Sequence, residues 1–298
     1  LDSFFKNNSF DIIHSIFIQA DIIAAYVKNK YKIPVHTSSI MGQLISKSSG
    51  SKLISFLKKI SYKFLYNFFC SDIDSYFPIT NTSMNQLNNE LNVNYNRFVT
   101  IYSGVPTDLV KSKRNKEEFL IGAASQLIFE KGLDILIRSF ELVKKEIPNA
   151  KLAIAGHGDY EKELLQLSDE LNLTNHIKFL GFERNMPEFM SSINLFVFPA
   201  RPSYDGLPRV ILEAMVQKTA VIASDTEEIS EIMNFKGING TLFKVGDHID
   251  LSRKIIKNYQ NQMQISQLTE NAFRMANSIS VKNNIKKIQE EYQLLLNK

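Results

Sequence analysis

The chain has 298 residues, of which 44% are hydrophobic, and it carries a formal net charge of +4. That length suits one large or two modest domains with real cores. Its single cysteine, Cys70, excludes an internal disulfide framework and fits a reducing compartment; the five scattered histidines speak against a structural zinc site, and no apolar run nears the roughly 20 residues of a spanning helix.

Short β-like runs alternate with helical patterns from end to end, the signature of a parallel α/β architecture. In the first part, strands are expected at Asp11–Ile16, Pro34–Thr37, Ser75–Ile79 and Phe98–Ile101. Helices are expected at Gln19–Lys30, Ser51–Phe69 and Ser83–Asn92. Between Asp21 and Asp72 there is no acidic residue, yet there are eight lysines. Within that stretch, residues 51–69 place Leu53, Leu57, Ile60, Phe64 and Phe68 along one helical face and Lys52, Lys59 and Lys63 on another. Such a basic amphipathic helix suits an anionic membrane surface, and equally a domain helix with its stripe in the core. Nucleic acid is a poor partner, because the rest of the chain lacks basic patches or a known module motif. Residues 107–118 (TDLVKSKRNKEE) read as a linker. Then follow six strand signals, at Phe119–Ala124, Ala150–Ala155, Ile177–Leu180, Leu195–Pro199, Ala220–Ala223 and Thr241–Lys244. Helices are expected over 131–147, 159–172, 186–191, 208–217 and from 248 onward, which together make a doubly wound domain.

Three places carry chemistry. Lys131 opens a helix after the first of these strands, where ligands bind α/β sheets, although a surface lysine needs no role. Gly156 and Gly158 end the next strand and let backbone amides approach a phosphate or sugar, or simply make a tight turn. The stretch PARPSYDGLPRVILEAM sets Asp205 and Glu213 eight positions apart around Gly206-Leu207-Pro208, with a helix starting at or near Pro208. Two carboxylates beside a helix N-terminus suit a ligand bearing vicinal hydroxyls and phosphate, a nucleotide sugar. The same spacing also fits an ordinary strand–loop–helix unit with solvated acids.

The last stretch resembles the acid–seven residues–Glu motif of the family 4 glycosyltransferases. IGAASQLIFEKGLDILIRSF (121–140), AKLAIAGHGDY (150–160), IKFLGF (177–182), INLFVFPA (193–200) and Tyr102-Ser103-Gly104-Val105-Pro106 resemble that family in the same order. The resemblance implies an α/β fold of two Rossmann-like doubly wound domains (GT-B). A partial acceptor-side domain would span residues 1–106 and a donor domain 119–275, with 276–298 a helix crossing back. It implies transfer with retention from a nucleotide-diphosphate sugar to a glycan or lipid-linked acceptor, without a cofactor or metal. This would take place in the cytoplasm, at the inner face of the membrane, during surface polysaccharide or lipopolysaccharide synthesis. Catalytic roles fall on Asp205, Lys131 and His36, with Ser39 the other position the segment PVHTSS offers. Donor binding falls on Gly156, Gly158, Gly206, Leu207, Pro208, Arg209 and Glu213.

There are departures from the family pattern. Asp205 stands where Glu is usual, and Gln126 where an Arg commonly pairs phosphate, leaving more of that task to Lys131. The first matching segment, FDIIHSIF (10–17), corresponds to the middle of the family's N-terminal domain. The expectation is therefore a chain that binds nucleotide but transfers sugar poorly, the alternative being an inactive nucleotide-binding fragment. Sugar-nucleotide 2-epimerases of similar fold fit the Asp205–Glu213 motif less well.

Overall fold

The computed structural model describes residues 2–41, 61, 63–91, 93–110, 114, 117–202 and 206–298. The chain divides into two compact units. One comprises Leu1–Ser103, Tyr204–Leu207 and Lys282–Lys298; the other comprises Gly104–Ser203 and Pro208–Val281.

The first unit runs α1 (Asp2–Lys6), β1 (Ile12–Ile16), α2 (Ile18–Tyr31), β2 (Val35–Ile40), β3 (Ser75–Pro78) and α3 (Asn81–Leu91). The strands form a parallel sheet in the order β1-β2-β3. Helix α2 stops because Lys32 takes the left-handed conformation at φ 54° and returns its N–H to Lys28, with Pro34 following. The strand expected at Phe98–Ile101 is not one. That segment runs beside β3 through one parallel bridge, Tyr76 to Phe98, and single bonds from Val99 N to Tyr76 O and Ile101 N to Pro78 O. Of the helix expected over 51–69, residues 61 and 63–69 are helical, and 51–60 and 62 lie outside the described residues. The apolar core gathers Ile40, Tyr66, Ile73, Tyr76, Leu87 and Leu91.

The unit also buries a polar cluster. Asp21 has no exposed surface and accepts hydroxyl bonds from Ser15 (2.6 Å), Ser38 (2.7 Å) and Tyr66 (2.7 Å). Burial pushes its carboxyl above the usual range, and the three donors pull it back. Ser15 spends its one proton on Asp21, so the 2.8 Å contact with His36 requires the imidazole Nε2 to donate. His36 Nδ1 is then a bare acceptor, buried without a hydrogen-bond partner among the described residues.

The second unit carries β4 (Phe119–Ala124), a 3-10 turn (Phe129–Lys131), α4 (Leu133–Glu146), β5 (Ala150–Ala155), α5 (Glu161–Glu170), β6 (Ile177–Gly181), α6 (Met186–Ser192) and β7 (Leu195–Phe198). It continues with α7 (Arg209–Val216), β8 (Ala220–Ser224), α8 (Glu227–Met233), β9 (Thr241–Phe243), α9 (His248–Gln260) and α10 (Gln262–Ser278). All strand pairs are parallel, in the order β6-β5-β4-β7-β8-β9. Chain direction across the sheet reverses between β4 and β7, so a crevice is expected beyond their carboxyl ends. Strands β7 and β8 are buried at every residue because helices cover both faces, which is why they read as unbroken apolar runs. Helix α4 lays Leu133, Leu136, Ile137, Phe140 and Val143 on the core, Phe140 with no exposed surface. Helix α6 starts where Asn185 accepts from Glu188 N, and α9 where Asp247 accepts from Ile249 N and Asp250 N. A last helix, α11, spans Val281–Leu296, and all but its first residue belongs to the first unit. There Tyr292 bonds His14 Nδ1 at 2.7 Å and Asn284 donates to the Tyr102 carbonyl. No described helix is long and apolar enough to cross a membrane.

Candidate functional site

A cavity of about 790 Å³ opens beyond the carboxyl ends of β4, β5 and β6, within the size range of small-molecule sites. Its walls are the loops that follow these strands, with Val210 and Glu213 of α7. The loops interlock through backbone bonds. Ser125 N donates to Ala155 O (3.1 Å), Leu127 N to His157 O (2.9 Å) and Gly156 N to Gly181 O (2.7 Å).

Gly156 lines the cavity at φ 134°, and a Cβ there would fall 1.8 Å from the Ser125 carbonyl oxygen, so only glycine fits. Gly158 sits against Leu127, whose carbonyl oxygen lies 2.4 Å from where a Cβ would stand. Glu213, in the second turn of α7, is partly buried in the same cavity wall. Burial holds its carboxyl above the usual range, and Arg209, four residues before it at the helix start, partly offsets this. Gly206 takes φ 71°, Leu207 is buried, and Pro208 caps α7 from an extended conformation. Asp205 lies outside the described residues.

Lys131 closes the 3-10 turn and is partly exposed; it does not line the cavity. The glycine after it has φ 65° and leaves no room for a Cβ, which would stand 2.0 Å from the Pro199 carbonyl oxygen. His36 lies in the buried polar cluster of the first unit. The ring has no exposed surface and contacts Ser15 at 2.8 Å, and burial lowers its pKa to about 4. Ser39, the other position in that segment, is partly exposed and contacts His14 Nε2 at 2.9 Å.

Several cavity residues escape the sequence reading: Ser125, His157, Phe182, Arg184 and Met186. Phe182 is 71% exposed, its ring centre 6.0 Å from that of His157 in an edge-on arrangement. Their available signal is position, since loops after the strands of a parallel sheet form its ligand edge. Among the described residues, no group of three or more His, Cys, Asp or Glu side chains could hold a metal ion.

The profile described as "Glycosyl transferases group 1" matches residues 105–275. A glycosyltransferase of Methanocaldococcus jannaschii, MJ1059, is 38% identical over 119 residues, covering 39% of this chain and 29% of its own. The capsular polysaccharide biosynthesis glycosyltransferase CapH of Staphylococcus aureus is 29% identical over 139 residues, covering 46% of this chain and 39% of its own. The chain thus spans well under half the length of these two relatives. Among solved structures, HepE of Anabaena in complex with UDP superposes with a TM-score of 0.84 at 21% identity, over 98% of this chain and 80% of HepE.

Proposed function

From the premise that this chain belongs to the group 1 glycosyl transferases, we propose that it moves a sugar from a nucleoside-diphosphate sugar to a glycan or lipid-linked acceptor with retention. The observation that carries this reading is the cavity at the switch point of the second sheet. There a glycine-walled turn and a half-buried carboxylate line one ligand-sized space. Glu213 accepts the vicinal ribose hydroxyls, and the diphosphate meets the loop amides and reaches beyond the cavity lining to Lys131. Asp205 takes the transferred sugar.

In the transfer, the bond from the anomeric carbon to the β-phosphate oxygen breaks. The acceptor oxygen bonds that carbon from the same face, and the acceptor proton passes to the departing diphosphate. Charge builds on the leaving nucleotide, so fixed N–H donors and a lysine there supply the stabilisation. CapH is a capsular polysaccharide biosynthesis glycosyltransferase, which supports a bacterial surface glycan as the product, and the fold shared with a protein bound to UDP supports a nucleotide donor. A membrane-facing role for residues 51–69 draws support from Phe64 and Phe68, 71% and 69% exposed beside Lys63. Co-sedimentation with anionic but not neutral vesicles tests it, and equal binding to both rejects it.

The deciding experiment is a thermal-shift panel of uridine, guanosine and adenosine diphosphates. One of them should stabilise the chain by about 2.7 kcal/mol at 100 times its dissociation constant. Glu213→Ala should weaken that binding by about 1.5–3 kcal/mol. No shift with any of the three ends the donor-site reading.

A further inference from the structure

The turn that presents Lys131 is held from outside chiefly through Arg201. Arg201 follows β7, and its guanidinium donates to both carboxylate oxygens of Asp134 in α4, at 2.9 and 2.7 Å. The same group donates to the Phe129 carbonyl at 2.6 Å and lies over the Phe129 ring, its central carbon 3.8 Å from the ring centre. The Arg201 backbone N–H donates to the Glu130 carbonyl at 2.8 Å. Both partners of the ion pair are largely shielded, with 23% and 16% of their side-chain surfaces exposed. On the neighbouring flank the Phe129 ring meets Tyr160 edge-on at 5.8 Å. Pro199 closes the end of the turn, leaving no space for a side chain at Gly132. Phe129, Glu130 and Gly132 of this turn are thus contacted by residues 199–201. A three-residue 3-10 helix has little hold of its own geometry.

We propose that Arg201 is a positioning residue, a splint that fixes the Lys131 turn so that the ammonium is already in place when a diphosphate arrives. Arginine is required because the contact uses all its special features at once. A fork meets a carboxylate with two parallel bonds, a third N–H reaches a carbonyl, and a planar face stacks on a ring. Lysine offers a point charge on a flexible stem and cannot hold three contacts together. Pre-organisation of this kind raises affinity by removing the cost of ordering the turn upon binding.

The inference rests on the reading of Lys131 as a diphosphate ligand, and the test separates the two. Uridine, guanosine and adenosine diphosphate affinities are measured by titration calorimetry for the unaltered chain, Lys131→Ala, Arg201→Ala, Arg201→Lys and the Lys131→Ala/Arg201→Ala double variant. Amide hydrogen exchange of residues 129–132 is followed in each. Arg201→Ala and Arg201→Lys should each lose about ten- to a hundredfold in affinity and exchange faster in the turn. The double variant should bind no worse than Lys131→Ala, because Arg201 acts through Lys131. Losses that multiply in the double variant, or Arg201→Lys with unchanged exchange and affinity, overturn the splint while leaving the donor site standing. Full affinity in Lys131→Ala overturns the reading of Lys131 itself and the splint with it. Should Arg201→Ala fail to fold, Arg201→Lys keeps the size and charge needed for both measurements.

Discussion

In the second unit, β7 and β8 are buried along their whole length and carry almost only apolar side chains. Strand β2 of the first unit is nearly as buried, yet it reads Val-His-Thr-Ser-Ser-Ile. One sheet is held by non-directional burial, which tolerates exchange among apolar shapes of similar volume. The other is held around Asp21 by directional bonds that fail as a group when one partner goes. Burial and hydrophobicity are separate properties, and the two units show them apart.

The comparison breaks most visibly at its charged centre. Asp21→Ala strands the hydroxyls of Ser15, Ser38 and Tyr66 and should cost the first unit about 3–5 kcal/mol, as breaking a buried charged contact does. In the second unit a loss that large should take a large-to-small core truncation such as Phe140→Ala. Urea unfolding read by probes in each unit measures both. An Asp21→Ala cost below about 1 kcal/mol would show that the polar cluster does not hold the unit together.

Acid should distinguish the units next. Burial holds His36 at a pKa of about 4, below its ordinary 6.5, with Lys28 and His14 lowering it further and Asp74 opposing. The unfolded chain therefore binds the proton first, so this stability is complete above pH 6.5 and lost as pH falls toward 4. The loss amounts to about 3 kcal/mol. The raised carboxyl of Asp21 acts with the opposite sign, since acid relieves its buried charge. His36→Gln should flatten the fall between pH 6.5 and 4, and an unchanged profile would assign the fall to another group.

The smallest effect belongs to the cavity. On the proposed reading, nucleotide hydroxyls donate to an ionised Glu213, whose pKa burial has raised. Affinity should be full above that raised pKa and fall by up to about tenfold per pH unit below it. Glu213→Gln should bind more weakly and lose this dependence. An identical pH profile in both forms would place the ribose contact elsewhere.

Burial also explains what the sequence discloses. The strands at Phe119–Ala124 and Ala150–Ala155 stand where their apolar runs put them, because both faces are covered. Strand β2 runs to Ile40, beyond the Thr37 at which polarity alone would end it, because Ser38 donates to Asp21 and Ser39 contacts His14. Helix α8, with the sequence EEISEIM, is too short for its period to stand out from the surrounding polar residues. Within the site, Gly156 and Glu213 are visible through local spacing. The Arg201–Asp134 pair is not, since 67 residues separate its partners and no periodicity links them.

The placement of α11 has a consequence for the order in which the protein is made. Residues 282–298 complete the first unit, closing on His14, Phe77 and Tyr102, but a ribosome reaches them only after the whole of the second unit. The first unit must therefore wait, with β1, β2 and β3 synthesised and Tyr292, one of the partners of His14, not yet translated. The segments of the second unit, through Val281, all emerge earlier. Synthesis order and completion order are reversed along this chain, so a ribosome that stalls near residue 281 leaves the earlier-made half, and not the later one, without its final helix.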